Sequence, residues 1–249
     1  MAVNTHKLWF SLLHERKYKG TEPHYPSVSH LKGIADLENS YSIILTELEN
    51  YLKSFVLESQ FNTMMVEKPK SWKVRSLRVW GVEMYEIQKY FPETMKLLSN
   101  IDGVVNVGFN LLEPQSAIKP HCGDTNAVIR CHLGLVIPAE NETCAIKVNH
   151  EIKNWQQGKV IGFIDAYDHE AWNRTDKQRI IMLFDILQPG FKSQKHKICG
   201  VVLASFYMQQ LGNIFPKLYN VNPKWLYPIT YPLSFLIRIL IPIRNKLKK

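Results

Sequence analysis

Between Val104 and Leu187 the chain reads as a run of short β-forming segments separated by turn residues. Val104–Leu112, Ala127–Ile137, Cys144–Val148, Lys159–Ile164 and Arg179–Leu187 are rich in Val, Ile, Leu and Phe. Such residues suit a pleated surface with at least one buried face. Glu113-Pro114, Pro138-Ala-Glu-Asn-Glu142 and Gln156-Gln-Gly158 supply the turn chemistry between them. Strands at roughly ten-residue spacing, with no long helix between them, predict an antiparallel sandwich or jelly roll.

The flanks differ from this core. Leu37, Tyr41, Ile44, Leu48, Tyr51, Leu52 and Phe55 recur at steps of three and four, which predicts an amphipathic helix over 34–58. Pro92–Ser99 predicts a second helix with its proline in the first turn. Residues 1–103 are therefore expected to be helices and loops covering one side of the core at 104–189. Residues 190–249 form an apolar, basic C-terminal segment.

The formal net charge is +9, but Asp185 is the last acidic residue. Ten of the 31 Lys and Arg lie beyond it, which leaves 21 bases against 22 acids in residues 1–185. The basicity belongs to the tail, so the global charge does not argue for a nucleic-acid partner. Four cysteines without CxxC spacing point to reduced packing thiols, including Cys122 and Cys131. The N-terminus lacks a long apolar stretch, so no signal peptide and a cytoplasmic location are expected.

Ile118 to Arg179 carries the residues capable of chemistry. His121, His132 and His169 are separated histidines, and Arg179 follows ten residues after the last. Non-haem iron is commonly held by two histidines and one carboxylate, with other positions open. Here His121-Cys-Gly123 puts glycine where that carboxylate is usual.

Five elements in the stretch from about Asn106 to Pro189 settle how this departure is read. They are His-x-Gly-x-Thr-Asn (121–126), Arg-x-His-Leu-Gly-Leu-x-x-Pro (130–138), Trp-x-x-Gly-Lys-Val (155–160), His-Glu-x-Trp (169–172), and Arg179 followed by Asp185 and Pro189. In order and spacing they resemble the aspartyl/asparaginyl β-hydroxylase family. The resemblance implies a mainly β, double-stranded β-helix (jelly roll) fold with N-terminal helices. It also implies an Fe(II)- and 2-oxoglutarate-dependent dioxygenase with two histidine ligands and no carboxylate, so glycine at 123 is what the family pattern expects. By the same resemblance His121 and His169 are the iron ligands, and Arg179 pairs with the side carboxylate of 2-oxoglutarate, a bidentate task that suits guanidinium. His132 contacts the cosubstrate's other carboxylate. Asn110 stands where better-known members have a serine that assists. Arg130 is expected to hold the cosubstrate or an acidic group of the substrate, and Asp165 to orient metal-bound water. Trp155 and Trp172 are expected to be packing residues, and His150 and His196 to face solvent.

The family's substrates include Asp or Asn side chains of proteins, and a related branch hydroxylates acyl chains of membrane lipid. Residues 225–243 bear on that choice. They are 19 mostly apolar residues with three prolines and Arg238, aromatic at the start and followed by a Lys/Arg cluster. This composition favours membrane contact through 190–249 at the headgroup interface over a clean crossing. Two function classes follow: a hydroxylase using 2-oxoglutarate and O2 on a peptide or lipid, or a catalytically silent β-helix that binds a ligand at a membrane.

Overall fold

The structure is a computed structural model that describes residues 7–13, 17–215, 217, 221 and 223–249. Its strands are β1 (Glu58–Ser59), β2 (Trp72–Val79), β3 (Val82–Glu83), β4 (Val104–Leu112), β5 (Ser116–His121), β6 (Val128–Val136), β7 (Cys144–Val148), β8 (Glu151–Asn154), β9 (Val160–Ile164), β10 (His169–Asn173) and β11 (Arg179–Leu187). Its helices are α1 (Ile34–Asn39), α2 (Tyr41–Leu52), α3 (Tyr85–Gln88), α4 (Pro92–Ser99), α5 (Lys195–Ile214) and α6 (Pro223–Lys248).

Two antiparallel sheets face each other. The larger runs β1-β2-β4-β11-β6-β9, with β3 added to β2, and the smaller runs β5-β10-β7-β8. This is a double-stranded β-helix (jelly roll), as the family resemblance implies and as one of the two architectures that the strand spacing predicts. Successive side chains of a strand point to opposite faces, and β11 shows what that does here. Ile180, Met182, Phe184 and Ile186 pack outward beneath the helices together with Leu37, Ile44, Leu48, Phe91 and Phe109. Ile181 points between the sheets, against Leu112, Ile118, Ile146 and Phe163. Both faces of the central strands are thus buried, which is why they read as nearly continuous apolar runs. The same alternation sends Arg179, His132 and Asn110 to the inner face, into one pocket.

Helices α1, α2 and α4 cover the outer face of the larger sheet. α4 begins at Pro92, and its exposed N-terminal amides are met from α2: Glu47 accepts from the backbone N–H of Glu93 (2.8 Å) and of Thr94 (2.9 Å). A carboxylate is favoured at a helix N-terminus, where unpaired N–H groups concentrate.

The single helix expected over 34–58 is instead α1 and α2, interrupted at Ser40, and it ends at Leu52. Phe55 lies past the end, half exposed and stacked on Tyr51 at 4.7 Å. Its place in the periodic pattern reflects an aromatic contact in the following turn. Residues 1–103 are also more than helices and loops, because β2 pairs with β4 along most of its length. Lys73, Arg75 and Arg78 obscure its alternation in the sequence.

Candidate active site

Antiparallel pairing of β5 with β10 sets His121 directly opposite His169. Their rings lie 4.3 Å apart between centroids. Each uses Nδ1 on a carbonyl two residues earlier, His121 on Lys119 O and His169 on Tyr167 O, both at 2.8 Å. A carbonyl can only accept, so Nδ1 carries the proton in both rings and Nε2 keeps its lone pair. This is the arrangement that orients a metal-binding imidazole. Burial lowers the pKa of His121 and drives that of His169 well below its ordinary value, so both are neutral, the form a metal requires.

His132, on β6, is held the other way round. The indole N–H of Trp155 donates to its Nδ1 at 3.2 Å. Because an indole nitrogen only donates, the proton of neutral His132 lies on Nε2. That Nε2 is buried without a hydrogen-bond partner. The three histidines are therefore two lone-pair donors and one N–H donor.

Arg179 opens β11 and is 1% exposed. Its guanidinium lies over the Trp155 ring at 4.7 Å, and its Nε has no hydrogen-bond partner. Burial pushes its pKa down to about 10, with no carboxylate among the causes. A buried cation left without a counter-charge costs several kcal/mol, so the site is built to receive an anion. Asn110 spends its Oδ1 on the Trp72 indole N–H at 2.8 Å, which leaves its NH2 as the group for a ligand.

Arg130 departs from its expected part. Its Nε and Nη2 form a bidentate pair with Asp185 (2.8 and 2.9 Å), and its Nη1 lies 2.5 Å from Asp165 Oδ1. Each guanidinium nitrogen faces an acid, which holds Asp165 in position, and Arg130 also lines the pocket. Burial pushes the Asp165 carboxyl up to about 7 against the pull of Arg130. Asp165 Oδ1 stands 3.6 Å from His169 Nε2. The glycine at 123 has a direct cause in this geometry. A side chain there would run into the Asp165 carboxylate, and the Gly123 N–H donates to Asp165 O at 2.8 Å. An acid reaches the histidine pair from the loop between β9 and β10, through space that a residue at 123 would otherwise fill.

The rest of the His-x-Gly-x-Thr-Asn element is a strap. Thr125 Oγ1 donates to Trp9 O and Asn126 Oδ1 accepts from Trp9 N–H, both at 2.8 Å. These bonds tie the segment from Lys7 to Leu13 over the loop after His121.

The histidine pocket is lined by His121, His169, His132, Arg179, Asn110 and Arg130 among apolar walls, and its free space is about 40 Å³. That volume suits an ion or a water. A cosubstrate reaching from the histidines to Arg179 requires the lining side chains to part. The donor set fits Fe(II) with a dicarboxylate: two neutral imidazoles with Nε2 open, a nearby carboxylate, and an N–H and a guanidinium with unspent donors. Trp155, expected to be mere packing, sets both His132 and Arg179. Its signal in the sequence was only its place in Trp-x-x-Gly-Lys-Val. Trp172 is a packing residue that donates to Glu142 O, and His150 and His196 are exposed. A separate cluster of His24, His150 and Glu151 lies at the surface. There His24 already engages Glu151 and Asn149 through its two ring nitrogens.

A jelly roll whose inner wall carries this set has the donors to hold a metal ion beside a dicarboxylate. The chain belongs to the aspartyl/asparaginyl β-hydroxylase family, whose profile matches residues 38–189. It is 34% identical over 163 residues to an ornithine lipid ester-linked acyl 2-hydroxylase from Rhizobium tropici, covering 62% of this chain and 57% of that protein. It is 28% identical over 171 residues to the human aspartyl/asparaginyl β-hydroxylase, covering 67% of this chain and 20% of that protein. The match thus spans little more than half of the bacterial relative and a fifth of the human one. Among solved structures, a Pseudomonas putida prolyl-4-hydroxylase aligns over 63% of this chain and 90% of its own, at 12% identity and a TM-score of 0.43.

Proposed function

We propose that the protein is an Fe(II)- and 2-oxoglutarate-dependent dioxygenase that hydroxylates an unactivated C–H bond of a membrane lipid acyl chain. The observation that carries this reading is the buried guanidinium of Arg179, without an acidic partner among the described residues, in one pocket with two histidines whose Nε2 lone pairs are open. His121 and His169 hold the metal. Arg179 takes the far carboxylate of 2-oxoglutarate, and the Nε2–H of His132 with the amide NH2 of Asn110 takes the near end. Arg130 fixes Asp165, whose carboxylate would be placed beside His169 to accept a hydrogen bond from a water in the pocket. Phe163, Trp155, Ile118 and Ile146 wall the pocket with apolar surface and exclude bulk water.

When bound, the iron and 2-oxoglutarate together supply the oxidising chemistry: one atom of O2 goes to the substrate as hydroxyl, the other to succinate, and CO2 leaves. Two observations favour lipid over an Asp or Asn side chain. The bacterial relative is an acyl hydroxylase. Helix α6 is long and apolar enough to cross a membrane by length and composition, which supports membrane contact through 190–249.

The test is anaerobic purification with Fe(II), then succinate formation in air with lipid extracts or Asp/Asn peptides, and mass spectrometry of the product. Succinate stimulated by lipid, with a lipid one oxygen heavier, is the expected result. Stimulation by peptide alone moves the substrate to a protein side chain. No turnover and no retained iron leaves a silent binding module.

A further inference from the structure

A cavity of about 520 Å³ lies between the segment at Lys7–Leu13, α5 and α6, and it shares no lining residue with the histidine pocket. Lys7, Lys197 and Arg238 border it, and no acid does among the described residues. None of the three has an acidic partner among the described residues. Tyr227 and Tyr231, stacked at 5.4 Å, add phenol groups to the lining, while the Ser234 hydroxyl donates to Tyr231 O at 2.8 Å. Three cations gathered around an open volume with no counter-charge repel one another unless an anion joins them.

The helix that walls this cavity is turned inside out. α6 buries Thr230 (2% exposed) and Ser234 (8%), yet it presents Trp225 (79%), Ile229 (60%) and Phe235 (58%) outward. A helix on a water-facing surface shows the opposite order. α6 is also fixed against the body at two levels. A side chain at Gly200 of α5 would meet Ser234 O at 2.6 Å, so the helices touch backbone to backbone there. Near its end, Asn245 donates to Gly81 O at 2.8 Å and Arg244 to Glu83 O at 2.9 Å. A helix so held lies along the protein, with its apolar face outward, beside the cationic cavity.

We propose that this cavity binds the phosphate headgroup of an anionic membrane lipid, whose acyl chains run out along the apolar face of α6 as that helix lies in the membrane interface. The proposal turns a membrane-facing segment into a defined lipid site, and it does not depend on the oxygenase reading.

The test is calorimetric titration of the metal-free full chain with dihexanoyl phosphatidylglycerol below its micelle concentration. Dihexanoyl phosphatidylcholine and inorganic phosphate serve as comparisons. Saturable binding of the phosphatidylglycerol, at least tenfold tighter than either comparison, is expected. The double change Lys197→Ala and Arg238→Ala weakens it about thirtyfold, from roughly 1 kcal/mol per basic residue near a lipid surface. The charge-matched pair Lys32→Ala and Lys53→Ala leaves it within about twofold, and thermal melts check that both variants fold. Equal binding of the two lipids overturns the proposal. So does equal binding of inorganic phosphate, which would make this a free-anion site. An equal loss in both double variants would reduce it to diffuse charge. Because no iron is present, failure of turnover does not touch the result.

Discussion

The indole N–H of Trp155 donates to Nδ1 of His132 at 3.2 Å, and this one bond decides which nitrogen of His132 faces the pocket. Without it the imidazole is free to take the other tautomer and offer a lone pair to the ligand's carboxylate. Trp155→Phe keeps the ring under Arg179 and removes only the donor. We expect the KM for 2-oxoglutarate to rise about tenfold, in line with one hydrogen bond of roughly 1–1.5 kcal/mol, with iron content unchanged. Steady-state kinetics beside metal analysis check this. A loss of iron instead would mean that Trp155 supports the metal ligands.

His121 and His169 present a different outcome. Removing either should abolish metal retention as well as turnover, because only two protein side chains are available in the proposed ligand set. We expect His121→Ala and His169→Ala to bind Fe(II) at least about a hundredfold more weakly, measured by anaerobic titration. Losing a group that merely hydrogen-bonds to a metal ligand commonly costs ten- to a hundredfold. Iron retained at full stoichiometry in His121→Ala would remove that residue from the site.

Arg179 is a cation stored in an apolar wall, so its removal should help the empty protein and harm the bound one. The depression of its pKa to about 10 corresponds to roughly 2–4 kcal/mol of unfavourable burial. Arg179→Met is expected to raise the thermal midpoint of the ligand-free protein, and to lack the further rise that millimolar 2-oxoglutarate is expected to give the wild type. Differential scanning fluorimetry with and without the cosubstrate reads both signs. A variant that melts lower when empty, yet still responds to 2-oxoglutarate, would overturn the role of Arg179.

Much of this was legible in the sequence, for physical reasons that also mark the limit. The β11 run from Arg179 to Leu187 announced itself because both its faces are buried. β2 did not, because Lys73, Arg75 and Arg78 break its pattern. β5 carries His121 through a short stretch containing Pro120, and only its pairing with β10 shows that His121 meets His169. Residue spacing located the ionisable groups but not their partners. Arg130 looked like an anion holder until Asp165 and Asp185 were seen filling its fork. Tautomers, likewise, are properties of neighbours.

Gly123 supplies a test in which sequence logic and geometry disagree. Writing Asp at 123 would restore the usual carboxylate of a facial iron site. In this fold the added side chain collides with Asp165 and sets two carboxylates together. Overpacking costs about 1–3 kcal/mol and like charges add to it. Gly123→Asp should therefore lower stability and iron affinity together, seen by urea unfolding and metal titration, whereas Gly123→Asp with Asp165→Gly should recover part of the stability. Tighter iron binding in the single variant would refute this account of the glycine.

Asp124 ties pH to the seat of the C-terminal helices. Its carboxylate accepts from Ser205 Oγ of α5 at 2.6 Å, and burial raises its pKa to about 6 from 3.8. In the unfolded chain the group ionises at lower pH than in the folded one. Its contribution to stability is thus full below about pH 4, falls as the pH rises through 6, and is lost above. Asparagine keeps an acceptor for Ser205 and carries no such dependence. Asp124→Asn should be more stable than the wild type by roughly 1–3 kcal/mol at pH 8. Near pH 4 the gap should shrink to a fraction of that. Urea unfolding at both pH values measures it. A gap that is the same at both would mean that Asp124 is ionised in the fold at pH 4, held so by Ser205 and the positive charge of Arg130.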